Sequence, residues 1–176
     1  ELGHELSVVC DIDPQKIVNG YPFETDWEKV MKYPVDYISI LTPNDLHMEM
    51  ILHALSRNKK VIVEKPPFIG RDELDILRRR GVKDTDVSVV LQLRYHPEVL
   101  KLREKISKGH DVKLTVKVKR DKSYWHGWKG DEARSGGILY NLGVHYLDLL
   151  ILLFGSQYKI IRSTYSDKLA KGEIAF

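Results

Sequence analysis

The residues best suited to chemistry lie between Ser135 and Asp148, in the run Ser-Gly-Gly-Ile-Leu-Tyr-Asn-Leu-Gly-Val-His-Tyr-Leu-Asp. Asn141, His145 and Asp148 fall at i, i+4 and i+7, which is one face of a helix. That face is polar and the rest of the segment is aliphatic, the reverse of the usual amphipathic design. An imidazole so placed can take the proton of an alcohol as its carbon gives up hydride, although a lone helical histidine more often serves structure. Gly143 inside the helix costs about 1 kcal/mol relative to Ala. A helix accepts that cost where something must approach closely, and Gly136-Gly137 frees the backbone just before it.

A second candidate is Glu64-Lys65-Pro66, at the end of the β-rich run Lys60–Val63. A lysine there can hydrogen-bond a substrate hydroxyl and move its proton if its ammonium is partly desolvated. The alternative is a surface Lys–Glu pair leaving a strand. Asp11 ends another short strand, where a carboxylate accepts hydrogen bonds from the ribose hydroxyls of NAD and repels the 2′-phosphate of NADP. Equally, Asp11 or Asp13 caps a helix beginning at Pro14. Thr42-Pro43-Asn44-Asp45-Leu46-His47 follows a third strand, where ligands bind; Asn44 reads most simply as a helix cap, and an exposed helix residue is one reading of His47. Tyr124–Arg134 is an aromatic, Gly-punctuated loop. Arg94, His96, Lys129 and Arg134 offer cationic groups for an anionic substrate. Lys113, Lys117, Lys119, Arg120 and Lys122 read as the solvated face of a strand and its exit.

These residues need elements to hold them. Leu6–Cys10, Val35–Leu41, Lys60–Val63 and Asp86–Leu91 are short apolar runs. Helical patterns lie between them, with Met48, Ile51, Leu52 and Leu55 on one face of Asp45–Arg57 and a polar helix over Asp72–Arg80. This alternation predicts a parallel sheet covered on both faces, with ligands at the C-terminal ends of its strands. From Pro97 the pattern changes. A helix carries Val99, Leu102 and Ile106, and Val112–Lys119 alternates like an antiparallel strand. Strands follow over Tyr158–Tyr165 and from Gly172. The fold class is therefore α/β, a partial doubly wound Rossmann-type sheet over residues 1–93 followed by a partial α+β domain with a mostly antiparallel sheet over 94–176. The strand ending at Asp11 reads as the second of a dinucleotide-binding unit, whose first strand and Gly-rich turn are not in this sequence. An internal piece of a longer protein is expected, one that alone binds NAD poorly.

Composition bounds the function. The 176 residues carry 28 Lys and Arg against 25 Asp and Glu, a net charge of +3, too small a surplus to argue for nucleic acid. The hydrophobic share of 43% and charged share of 30% exclude a disordered chain. One cysteine, Cys10, excludes an internal disulfide and a cysteine-based zinc site and suits a reducing, cytoplasmic setting. The longest uninterrupted apolar run is Leu149–Phe154, far short of the roughly 20 residues of a bilayer span. No metal, membrane or nucleic-acid partner is expected.

Glu64-Lys65-Pro66 followed some seventy residues later by Gly-Gly-x-x-x-[Asp/Asn]-x-Gly-x-His-x-x-Asp resembles the glucose–fructose oxidoreductase, inositol dehydrogenase and MocA family. Within it, Leu91–Pro97, Gly127–Glu132 and Ser135–His145 look most like the UDP-N-acetyl-2-amino-2-deoxyglucuronate 3-dehydrogenases of surface-polysaccharide synthesis. The resemblance implies that Lys65 and His145 are catalytic and that Asp11 holds the adenosine ribose of NAD. It implies that Thr42, Asn44, His47, Glu64 and Lys65 line the cofactor, with Gln92 and Arg94 at the domain junction and Trp128 and Lys129 nearby. Lys65, Arg94, His96, Arg134, Asn141 and His145 would meet a nucleotide-sugar substrate, in a homo-oligomer (dimer or tetramer). Asn141 stands where the wider family usually has Asp. That departure suits a uronate by avoiding carboxylate–carboxylate repulsion. A free sugar or inositol substrate, or a non-catalytic NAD(P)-sensing role, are the alternatives.

Overall fold

The computed structural model describes residues 3–106, 114–116, 120–166 and 169–176. Two short strands, β1 (Val9–Cys10) and β2 (Phe23–Glu24), pair in parallel. Between them Asp13 accepts the N–H of Gln15 and caps a single turn over Pro14–Lys16. A one-turn helix, α1 (Trp27–Val30), starts at Asp26, which accepts the N–H of Glu28. The main sheet consists of β3 (Tyr37–Ile40), β4 (Lys60–Glu64) and β5 (Val87–Val90), parallel and in that order. Ile38 lies opposite Val61, and Val61 opposite Val87. The crossovers are α2 (His47–Leu55) and α3 (Arg71–Arg79). Glu73 fixes the start of α3 by accepting the N–H groups of Ile69 and Gly70, both at 2.8 Å.

Side chains in a strand alternate between faces, and here only one face is sealed. Ile38, Ile40, Val61 and Val63 are buried against Met48, Ile51 and Ala54 of α2, Leu77 of α3 and Met31. Tyr37 and Ile62, on the opposite face, are exposed. The two-sided cover expected from the strand–helix alternation is therefore present on one side among the described residues. Lys59 is buried at the foot of β4, where its ammonium donates to the carbonyls of Tyr33 and Val35. It thereby fastens the segment entering β3.

The second half is built on helices. In α4 (Pro97–Lys105), Pro97 occupies the first position, where its missing N–H costs nothing. A short helix, α5 (Glu132–Ser135), is capped by Asp131 and stopped by Gly136 at φ +77°. A Cβ at Gly136 would stand 2.7 Å from Cβ of Tyr140, so the turn requires glycine. Leu139–Gly143 then winds with π-type spacing and runs directly into α6 (Val144–Phe154). Such a local widening recurs at functional sites. The aromatic loop is not irregular, because Lys122–Trp125 and Gly127–Lys129 are helical turns. A Cβ on Gly130 would fall 1.9 Å from the Trp125 carbonyl oxygen. Strands β6 (Lys159–Tyr165) and β7 (Ala170–Ala175) form an antiparallel hairpin with an irregularity between Ile160 and Arg162. Of the strand expected over Val112–Lys119, only Leu114–Val116 are described, and these carry no strand pairing; Lys113, Lys117 and Lys119 lie outside the described residues.

By length and composition the helical stretch Glu132–Phe154 is apolar enough to cross a membrane, which the six-residue uninterrupted run did not anticipate. It is interrupted by the left-handed residues Gly136 and Gly137. It also carries Asn141, His145 and Asp148, the last of which is ion-paired to another element.

Candidate active site

The C-terminal edge of the parallel sheet presents Thr42 after β3, Glu64 and Lys65 at the end of β4, and Gln92 after β5, where open α/β sheets bind ligands. Against this edge lies the widened turn at the start of α6. The Lys65 ammonium donates to the backbone carbonyl of Asn141 at 2.5 Å and to its Oδ1 at 3.3 Å. Asn141 is buried, and its Nδ2 donates to the Tyr124 hydroxyl at 3.3 Å. One residue therefore receives Lys65 from one half of the molecule and Tyr124 from the aromatic loop.

Burial is the main reason that the Lys65 pKa lies below the ordinary lysine value; Glu64 opposes the shift, and the charges of Lys129 and Arg120 add to it. His145 stands one helical turn beyond Asn141. Burial, with the charge of Lys65 second, also holds its pKa below the ordinary 6.5, against the smaller pull of Glu64 and Asp148. His145 Nδ1 is buried with no hydrogen-bond partner, so Nε2 is the ring nitrogen left to face a substrate. The pair thus consists of an amine biased toward neutrality and a neutral imidazole. Burial disfavours the protonated form of both, and they lie where helix and sheet edge meet.

The structure gives several expected ligand contacts other work. Asn44 does not cap its helix. It is buried, and its Nδ2 donates 2.8 Å to the carbonyl of Ser135, just before the glycine pair. His47 is fully buried rather than exposed, with Nδ1 2.7 Å from the Pro66 carbonyl and Nε2 2.9 Å from the Thr42 carbonyl. A neutral ring donates to one of these, so His47 positions the two loops that end β3 and β4. The Thr42 hydroxyl turns inward to Met50 Sδ. His96 caps α4 by accepting the N–H of Glu98. Arg94 makes a two-pronged ion pair with Asp148, its Nε 2.8 Å from Oδ2. Hydrogen bonding to Asp148 raises its pKa, and the carboxylate is spent on Arg94 rather than on His145. Arg134 Nε lies 2.8 Å from Asp45 Oδ2. Neither arginine is an open cation for an anionic ligand. Gln92 is exposed, whereas Trp128 and Lys129 are half-buried, with the Lys129 ammonium 5.7 Å from the Trp128 ring centre.

Sequence reasoning missed Tyr124 and Ser135 as members of the site and Asp45 as a partner. The aromatic loop and the segment opening at Ser135 were visible, but nothing local shows that they meet Asn141 and Asn44.

Asp11 stands at the end of β1. Its carboxylate accepts the N–H of Asp13 at 2.9 Å and pairs with Lys16 at 3.2 Å. The Asp13 N–H, then Lys16, keep its pKa below the usual carboxylate value. Lys16 is mostly exposed, so ribose hydroxyls can replace it at little cost. Asp11 and the sheet edge from Thr42 to Gln92 fit the adenosine and nicotinamide ends of a dinucleotide, respectively.

Comparison with known proteins bears on the family and the fold. The family model described as "Oxidoreductase family, NAD-binding Rossmann fold" matches residues 3–89, and that described as "Oxidoreductase family, C-terminal alpha/beta domain" matches residues 104–173. Among curated relatives, scyllo-inositol 2-dehydrogenase (NADP(+)) of Bacillus subtilis is 28% identical, covering 86% of this chain and 45% of the relative. Glucose-6-phosphate 3-dehydrogenase of the same organism is 27% identical, covering 88% and 48%. The WlbA (WbpB) dehydrogenase of Thermus thermophilus, solved with NAD and alpha-ketoglutarate, superposes with a TM-score of 0.76 at 28% identity over 97% of this chain and 61% of that one. Its complex with NAD and UDP-GlcNAcA gives 0.72 at 31% identity, over 90% and 56%. The chain spans about half the length of the curated relatives it matches. With a parallel sheet ending in Lys65 and a glycine-led helix carrying His145, this chain belongs to the Gfo/Idh/MocA oxidoreductase family, whose N-terminal domain is an NAD-binding Rossmann fold.

Proposed function

We propose that this chain carries the catalytic pair of an NAD-dependent dehydrogenase that oxidises a secondary hydroxyl of a sugar, C3 of a UDP-linked N-acetylglucuronic acid, in surface-polysaccharide synthesis. The observation that carries this reading is the Lys65 ammonium seated on Asn141, one helical turn from His145. NAD bound along the sheet edge supplies the hydride acceptor. Asp11 holds the ribose, and its charge disfavours a 2′-phosphate.

Lys65 and His145 handle the proton. As the carbinol C–H bond breaks, the O–H proton must leave for a base. A neutral lysine amine receives it directly, and His145 Nε2 accepts it from the amine or from the oxygen. Burial biases both groups toward the accepting form, and the charge of Lys65 further disfavours protonating His145. Asn141 itself adds no charge, so a substrate carboxylate meets no anion from that side chain. UDP-GlcNAcA is favoured by the solved WlbA complex with that sugar. Inositol is the second reading, favoured by the named inositol dehydrogenase relative.

The test is NADH formation at 340 nm by the full-length protein with UDP-N-acetylglucosaminuronate, glucose 6-phosphate, myo-inositol and glucose. Turnover of the uronate at least tenfold above the others in kcat/KM is expected. Preference for inositol overturns the substrate, and absence of turnover with all four overturns the dehydrogenase reading.

A further inference from the structure

Arg94, Arg120, Lys129 and Arg134 divide into two kinds. Arg94 and Arg134 are neutralised by Asp148 and Asp45. Arg120 and Lys129 have no carboxylate within ion-pair distance among the described residues. Both instead sit on one aromatic ring: the Arg120 guanidinium is 5.0 Å and the Lys129 ammonium 4.9 Å from the centre of Tyr124. The nearest acid in sequence, Asp121, is occupied by its own turn, accepting the Ser123 hydroxyl and the Tyr124 N–H. Glu132 lies beside Gly137, and Glu64 flanks Lys65 itself.

These two cations and Tyr124 line an open cleft of about 510 Å³ with Ser123, His126, Trp128 and one carboxylate, Asp121, whose Oδ1 is held by its own turn. A second cleft, of about 140 Å³, runs from Lys129 to Asn141. Tyr124 joins the cleft to the reacting groups, since its hydroxyl accepts from Asn141 Nδ2 while Asn141 Oδ1 faces Lys65. The hydroxyl's own proton remains to be donated. Two cations that have no ion-pair partner at contact distance, Arg120 feeling only the nearby charge of Asp121, repel each other and the Lys65 ammonium, and an anion between them relieves that repulsion. Both cations are near enough to act on Lys65.

We propose that Arg120 and Lys129, braced on Tyr124, form an anion subsite that selects a sugar bearing a carboxylate or phosphate group and presents its hydroxyl to Lys65 and His145. This deepens the dehydrogenase reading, and it separates the substrates named for relatives into anionic (UDP-GlcNAcA, glucose 6-phosphate) and neutral (inositol) kinds. Arg120 supplies a planar fork and Lys129 a mobile point charge, so either anion is a chemical match.

The experiment measures binding and turnover separately on the full-length protein loaded with NAD. Calorimetric titration with glucuronate, glucose 6-phosphate and glucose distinguishes carboxylate, phosphate and neutral sugar. Arg120→Gln and Lys129→Gln should each weaken the preferred anionic sugar about tenfold, with the glucose affinity moving much less. Lys122→Gln, an exposed charge outside the cluster, should leave the ratio unchanged. If wild-type protein binds glucose as well as either anion, or if both variants lower all three sugars alike, the subsite is wrong. If no sugar is turned over but the anion preference persists and is lost in the variants, the dehydrogenase reading fails and the subsite stands.

Discussion

In the parallel-sheet half, Ile40, Ile51, Val61 and Val63 are sealed to 1% exposure or less. In α6, whose eleven residues Val-His-Tyr-Leu-Asp-Leu-Leu-Ile-Leu-Leu-Phe are almost continuously apolar, no side chain is fully buried. The β6–β7 hairpin likewise leaves Tyr158, Ile160, Ile161 and Tyr165 exposed. The first half therefore holds itself together by area removed from water. The contacts that hold the second half's candidate-site face to it are directional and polar: Asn44 on the Ser135 carbonyl, Arg134 on Asp45 and Lys65 on Asn141, while Arg94 on Asp148 fixes the junction to α6. Lys65 belongs to the sealed region and His145 to the open one. Their alignment thus depends on a few hydrogen bonds rather than on packing, so stability and activity should respond to different residues.

The largest expected effect tests the packing contrast. Ile51→Ala should destabilise the full-length protein by about 2–5 kcal/mol, the range for emptying a sealed site. Ile151→Ala in α6 should cost no more than about 1 kcal/mol, since less area is lost. Urea unfolding measures both, and equal losses would erase the contrast. Next, Asn44→Ala strands the buried Ser135 carbonyl and should cost about 1–3 kcal/mol. It should also lower kcat more than it raises KM, because the glycine turn leading to His145 loses its anchor. A melting-temperature change with unaltered kcat would show that the turn needs no such anchor.

Asp148→Asn weakens the Arg94 pair and should cost about 1–2 kcal/mol. It also removes an anion that raises the His145 pKa, so the His145 titration followed by NMR should move to still lower pH; movement upward would contradict the electrostatics. The smallest effect concerns pH. A histidine whose folded pKa is depressed binds fewer protons folded than unfolded just below 6.5. Stability contributed by neutral His145 is therefore complete above pH 6.5 and declines as pH falls through the window beneath it. His145→Gln should flatten that part of the stability profile, and an unchanged slope would assign it elsewhere.

Much of this was legible along the chain, because strand alternation and helical periodicity are local. Lys60–Val63 read as an apolar strand and Met48 and Ile51 formed one helical face without reference to anything distant. The polar helix face carrying His145 was legible from spacing, whereas local sequence left Lys65 open between a surface pair and a functional amine, and only the family resemblance gave it a role. The charge pairings were not, because Arg94 meets Asp148 across 54 positions and Arg134 meets Asp45 across 89. Without those partners both arginines resemble open anion binders, while Arg120 resembles a solvated strand residue. His47 read as exposed because the loops of Thr42 and Pro66 that cover it come from two different strands. Asp148 shares the helical face of His145 as the period requires, yet its partner comes from the domain junction.

The most direct measurement is the single-turnover rate of NADH formation at 340 nm for full-length Lys65→Met and His145→Gln, with NAD affinity determined in parallel by fluorescence. The expected result is a loss of about 10²–10⁴ in rate for each variant with NAD affinity kept within a few-fold, since one proton-handling group comes from each half. A rate within a few-fold of wild type in either variant would contradict a catalytic pair shared between the sealed and open halves.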